Sequence, residues 1–191
     1  MGVLDRRQAV EALLKERGDL LVVSGLGSPT WDVAATGDDE RNFYLWGAMG
    51  GAAMVGLGLA LAQPERPVAA ITGDGEALMG LGALATIGAR APRNLTVVVL
   101  DNLHFGETGM QRSHTGLGTD LSAVARACGF DWVAEIDDMA GLDELRQGMQ
   151  RRDGCGFARI AIAVGEHDRV LPERDGARIK ARFRRALGLA G

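Results

Sequence analysis

The stretch ITGDGEALMGLGALATIGARAPRNLTVVVLDNLHFGETG, residues 71–109, holds two apolar runs that each stop at a hard oxygen donor. The first ends in Gly73-Asp74-Gly75 and the second in Asp101-Asn102. Between them lies a segment with the length and composition of one helix, predicted over 76–89. A strand, a crossover helix and a second continuously apolar strand describe a parallel pair buried on both faces. Asp74 and Asn102 then stand at neighbouring strand ends, on the side of a parallel sheet where ligands bind.

The same alternation runs outward in both directions. Strands are predicted at 20–25, 42–47, 67–73, 94–102, 131–136 and 157–164, the last four rich in Val, Ile, Ala and Thr. Helices are predicted at 5–17, 49–62, 76–89, 120–129, 139–151 and 175–189, with Thr119-Asp120 as a cap and Gly129 as a stop. The fold class is α/β, a doubly wound, mostly parallel sheet with helices on both faces. At 191 residues and 20.1 kDa, one domain over 1–191 is expected.

Composition removes several function classes. A net charge of −4, from 21 Lys+Arg against 25 Asp+Glu, gives no footprint for nucleic acid. Cys128 and Cys155 form no CxxC and have no histidine at ligand spacing, which argues against a zinc or iron–sulfur centre and fits a reducing cytoplasm. The N-terminus carries charges throughout and has no signal-peptide core. Tyr44 to Ala62 is uncharged and long enough to cross a bilayer, but its glycines and its place between strands predict a buried helix.

Neither a GxxxxGK[ST] nor a GxGxxG fingerprint is present. The loops nevertheless suit phosphate. Gly25 and Gly27 ahead of Ser28 can present backbone N–H groups, and Gly75-Glu76 opens a helix whose N-terminus favours an anion. A bare Asp74 carboxylate there would repel phosphate, and a divalent cation resolves the conflict by bridging them. Magnesium takes few protein carboxylates, so Asp74, Asn102 and a loop carbonyl two residues on meet its needs. The residues alone leave open a plainer reading of GDG, a tight turn whose Asp caps the next helix.

GDG, a helix, an apolar strand and DN followed by LHFGETG resemble the cofactor motif of thiamine diphosphate enzymes, in their diphosphate-binding domain. WGAMGGAAMVGLGLALA, residues 46–62, is similar to the pyrimidine-contacting loop and helix of the decarboxylase and acetolactate-synthase group. The resemblance implies thiamine diphosphate and Mg²⁺ as cofactors, with Asp74 and Asn102 binding the metal through side chains and His104 through its carbonyl. It places Gly25, Gly27, Ser28, Gly75 and Glu76 around the diphosphate, with Gly106 and Glu107 closing over it. The Gly47 carbonyl and Met49 N–H would hold the aminopyrimidine. The Met49 side chain would wedge the cofactor into the bent form that brings its amino group beside the thiazolium C2.

Two departures stand out: Glu76 replaces a small residue after GDG, and Asp101 replaces the first Asn of an Asn-Asn pair. Glu76 either adds charge near the diphosphate or turns away to cap its helix. Arg112 and His114, in GETGMQRSHTGLG, are candidates for a substrate or proton role, against the alternative of solvated loop residues. The family also needs a glutamate that activates the pyrimidine, and it lies on a separate pyrimidine-binding domain that the sequence does not show. A separate α subunit supplying that glutamate is therefore expected. The implied reaction is decarboxylation of a small anionic 2-oxoacid, such as sulfopyruvate or phosphonopyruvate, to carbon dioxide and an aldehyde. An acetolactate-synthase-like carboligase or an oxoacid oxidoreductase subunit would share the cofactor motifs.

Overall fold

The computed structural model describes residues 3–189. Six parallel strands form the main sheet: β1 (Leu21–Ser24), β2 (Asn42–Tyr44), β3 (Val68–Gly73), β4 (Leu95–Asp101), β7 (Trp132–Ile136) and β8 (Gly156–Ala161). Their spatial order is β2-β1-β3-β4-β8-β7. A short antiparallel hairpin, β5 (His104–Phe105) with β6 (Gln111–Arg112), stands apart.

Strand alternation feeds two cores. Ala69, Ile71, Val98 and Leu100 face the cluster built by α1 (Arg6–Leu14), α2 (Ser28–Ala35) and α7 (Met139–Arg151). Val68, Leu95, Val97 and Val99 face the opposite cluster, with α3 (Ala52–Ala62), α5 (Gly82–Arg90) and α6 (Leu121–Ala127). The last helix, α8 (Gly176–Ala186), closes the β2 edge, where the Phe183 and Phe43 rings meet edge to face at 5.5 Å. Buried strands covered on both faces explain why the central runs read as unbroken apolar sequence. Among the described residues no helix is long and apolar enough to cross a membrane.

Several predicted boundaries are corrected. The helix expected over 76–89 is two, α4 (Asp74–Met79) and α5, broken at Gly80. A β-carbon on Gly80 would stand 2.2 Å from the Gly50 carbonyl oxygen, so the break is where the chain touches the loop before α3. That loop also shortens the helix predicted from Met49, which begins at Ala52. Helix α2 was not predicted; its signal is Pro29 in the first turn, a position where a missing N–H costs nothing.

Candidate active site

The carboxyl ends of β1, β3 and β4 open onto one cleft, with about 730 Å³ of empty space including the part open to solvent. β3 and β4 pair in register to Gly73 opposite Leu100, which sets Asp74 and Asn102 on adjacent strand ends. Both line the cleft, together with Ser28, Met49, Gly75, Glu76, His104, Gly106 and Glu107. Ser28 opens α2 and Asp74 opens α4, so two helix N-termini are directed at the same space.

Asp74 is 3% exposed and sits close to the fully buried Asp101. Burial, reinforced by Asp101, pushes its carboxyl above the usual range, while a Ser113 hydroxyl and local N–H groups pull the other way. Thr115 Oγ1 donates to Asp101 Oδ1 at 2.8 Å and stands 3.3 Å from Asp74 Oδ2. Arg159 Nε holds the other Asp101 oxygen at 2.5 Å, so Asp101 has its cation, and among the described residues none pairs with Asp74. Asp101 also accepts from Leu103 N at 3.0 Å, which fixes the turn leading out of β4. The Asn102 amide oxygen accepts from His104 N at 2.9 Å, and the His104 Nδ1 contacts the Asn102 carbonyl at 2.8 Å. These contacts hold the amide at the strand end.

Glu76 is turned inward. Its carboxylate accepts from Thr72 Oγ1 at 2.7 Å and Ala52 N at 3.2 Å. Burial raises its pKa, and hydrogen bonds from Thr72 and from the Ala52, Gly50 and Leu26 backbone oppose the rise. Its oxygens are thus committed to the loops on either side. It anchors the cleft's floor and gives its own helix no side-chain cap, so the cap that the sequence offered as one alternative is not formed.

Gly25, Gly27 and Gly47 flank the cleft without lining it. Gly27, at φ +84°, lies where its β-carbon would stand 2.3 Å from Glu107 Oε1, so the loop after β1 and the loop after β5 touch. Gly75 packs under Phe105, whose ring would lie 3.0 Å from a β-carbon there. Arg112 and His114 are exposed and do not line the cleft. The Arg112 guanidinium is tied to the Gly116 carbonyl of its own loop. His114 meets Phe105 edge to face at 5.7 Å, and Phe105 does line the cleft. Sequence reasoning missed Arg6, Phe105 and Ile162 as lining residues. Phe105 lay within the quoted motif; nothing in the sequence singled out the other two.

The donor set fits a cation-bridged diphosphate: one buried carboxylate with no cation among the described residues, one held amide oxygen, and two helix N-termini around one space. Comparison with known proteins supports the diphosphate cofactor. The family model for the C-terminal TPP-binding domain of thiamine pyrophosphate enzymes matches residues 34–188. The chain is 38% identical over 181 residues to sulfopyruvate decarboxylase subunit beta of Methanothermobacter thermautotrophicus, covering 95% of this chain and 94% of that one. It is 41% identical over 181 residues to phosphonopyruvate decarboxylase of Streptomyces viridochromogenes, covering 94% of this chain and 45% of the other. The fold is shared with benzoylformate decarboxylase from Polynucleobacter necessarius, at TM-score 0.69 and 18% identity over 87% of this chain and 34% of that one. The chain belongs to the thiamine pyrophosphate enzymes and carries their C-terminal TPP-binding domain.

Proposed function

We propose that this chain is the diphosphate- and metal-holding subunit of a two-subunit 2-oxoacid decarboxylase acting on a 3-substituted pyruvate, sulfopyruvate or phosphonopyruvate. The observation that carries the reading is the pairing of Asp74 and Asn102 at adjacent strand ends over a cleft that two helix N-termini enter. Bound thiamine diphosphate supplies the electron sink that accepts the electrons of the cleaved carbon–carbon bond. Asp74 and Asn102, with the His104 carbonyl, hold Mg²⁺. Ser28, Gly75 and the N–H groups beside Gly25 and Gly27 hold the diphosphate. The Gly47 carbonyl and Met49 N–H would hold the aminopyrimidine, the Met49 side chain would wedge beneath the cofactor, and Gly106 and Glu107 would close the cleft over it.

Activation comes from a partner. The relative that this chain spans almost end to end is named a beta subunit, and the phosphonopyruvate decarboxylase is about twice as long. Both facts support an α subunit that completes the site with its activating glutamate. The likeness to decarboxylases favours carbon dioxide release over carboligation, and the two cysteines are too few to build an electron path.

The test is reconstitution. The chain purified alone should bind thiamine diphosphate with Mg²⁺ and turn over no oxoacid. Co-expression with its partner should give carbon dioxide and an aldehyde from sulfopyruvate or phosphonopyruvate. Equal turnover by the chain alone would defeat the two-subunit reading, and acetolactate from pyruvate as the main product would assign the chain to a carboligase.

A further inference from the structure

We infer that Arg6 is a ligand of the cofactor's diphosphate, placed so that its guanidinium neutralises the phosphoryl charge that the metal side of the cleft leaves over. The inference rests on the proposed cofactor site and concerns a residue on a different element from any motif residue.

Arg6 is the first residue of α1, is 7% exposed, and lines the cleft beside Ser28, Pro29 and Ile162. A buried guanidinium keeps its charge, so it needs an anion. The available carboxylate is Asp32, fully buried in α2, with Arg6 Nε 3.4 Å from Asp32 Oδ2. That contact falls short of a hydrogen bond: among the described residues Arg6 Nε and Asp32 Oδ2 are both buried without a hydrogen-bond partner. Asp32 meanwhile accepts from Arg7 Nε at 3.2 Å through its other oxygen. Two guanidiniums thus share one carboxylate, and the surplus positive charge lies on the arginine that faces the cleft. The nearby Asp5 does not supply the balance: it caps α1 through Arg7 N and Gln8 N and pairs with His167 at 2.8 Å.

Helix geometry explains the placement. Ser28 and Asp32 are four residues apart on α2, so they share one face a single turn apart. Asp32 therefore holds Arg6 one turn below the helix N-terminus, against the wall that Ser28 shares. The same cleft is lined by Asp74, at the end of β3. The cleft thus holds both the Asp74 carboxylate proposed for the metal and the Arg6 guanidinium. A diphosphate ester matches that pair, because a doubly charged metal ion shared with Asp74 leaves part of the phosphoryl charge uncompensated, and a planar guanidinium fork suits phosphate oxygens.

The test is calorimetric titration of thiamine diphosphate, thiamine monophosphate and thiamine, in excess Mg²⁺, into the chain co-purified with its partner. Arg6→Gln should weaken thiamine diphosphate binding by roughly 10- to 100-fold, the range of one charge-assisted contact, and leave thiamine unchanged. Arg6→Lys should recover part of the loss, and carries the test if Arg6→Gln fails to fold by circular dichroism. Arg7→Gln, which alters the same carboxylate away from the cleft, should keep cofactor selectivity within about threefold. Thiamine diphosphate affinity within threefold of wild type in both Arg6 variants would overturn the inference. So would an equal loss for all three compounds, or a loss confined to oxoacid affinity at saturating cofactor. Failure of the wild-type protein to bind thiamine diphosphate would instead defeat the cofactor site itself.

Discussion

The Glu76 carboxylate lies directly beneath Gly25: a β-carbon on Gly25 would stand 1.6 Å from Glu76 Oε2. The residue that departs most from the cofactor motif is thus packed against the first glycine of the β1 loop. Through Thr72, Ala52, Gly50 and Leu26 it joins β3, the start of α3 and both loops that flank the cleft.

Gly25→Ala should therefore destabilise the chain by about 1–3 kcal/mol through overpacking. Glu76→Ala should cost a similar amount, because it strands the Thr72 hydroxyl and the Ala52 N–H in a buried place. The double variant should cost less than the sum by about 1 kcal/mol or more, since the methyl group added at Gly25 then fills the space of the lost carboxylate. Denaturant unfolding of the four proteins measures this. Additive losses would show that the two side chains do not meet.

Asp74→Asn should separate stability from binding. Its carboxylate is buried, lies near Asp101 and has no cation among the described residues, so neutralising it should leave the cofactor-free chain as stable or slightly more stable. The same change removes the charge that balances Mg²⁺ and should cost several kcal/mol of thiamine diphosphate affinity, of the order of an uncompensated buried charge. Melting curves without ligand and calorimetry with Mg²⁺ read the two effects. Unchanged affinity would remove Asp74 from the metal site.

Much of this was legible because burial on both faces of a parallel sheet writes itself into sequence as unbroken apolar runs. Val97 to Leu100 could only be a central strand, and the donors at the ends of β3 and β4 followed from it. Ser28, Met49 and Glu107, named from motif likeness, line the cleft. What was not legible depends on tertiary contact. The break at Gly80 exists because Gly50 presses on it, and Arg6 reaches the cleft because α1 packs on α2 through Asp32. The hairpin from His104 to Arg112 has strands of only two residues, too short for any periodic signal.

Asp39 makes a pH prediction. Hydrogen bonds from Arg41 hold its carboxyl at about 2, below the usual 3.8, although burial works against them. Because the folded value lies below the unfolded one, the stabilisation is fully present above about pH 4 and fades as pH falls toward 2. With the side chain 26% exposed, solvent screening limits the gain to about 1–2 kcal/mol. Asp39→Asn should lower stability by that amount at neutral pH and flatten its dependence between pH 2 and 4. An identical acid limb in the variant would show that Asp39 titrates normally.

Arg112 tests the substrate class. It is exposed, held to the Gly116 carbonyl, and paired across the hairpin with His104, the residue whose carbonyl is assigned to the metal. Under the proposed function its guanidinium would hold the second anionic group of sulfopyruvate or phosphonopyruvate by charge-assisted hydrogen bonds, from the hairpin whose Phe105 lines the cleft and meets His114. Arg112→Ala in the reconstituted enzyme should raise KM for the doubly anionic substrate roughly tenfold and leave pyruvate unchanged, because the lost binding energy belongs to the remote group and not to the reacting carbon. The measurement is kcat/KM for each oxoacid in both proteins, with thiamine diphosphate affinity as the control. Equal loss on every substrate would move Arg112 to support of the loop, through its contact with Gly116. Equal preference for pyruvate in the unmodified enzyme would defeat the substrate assignment itself.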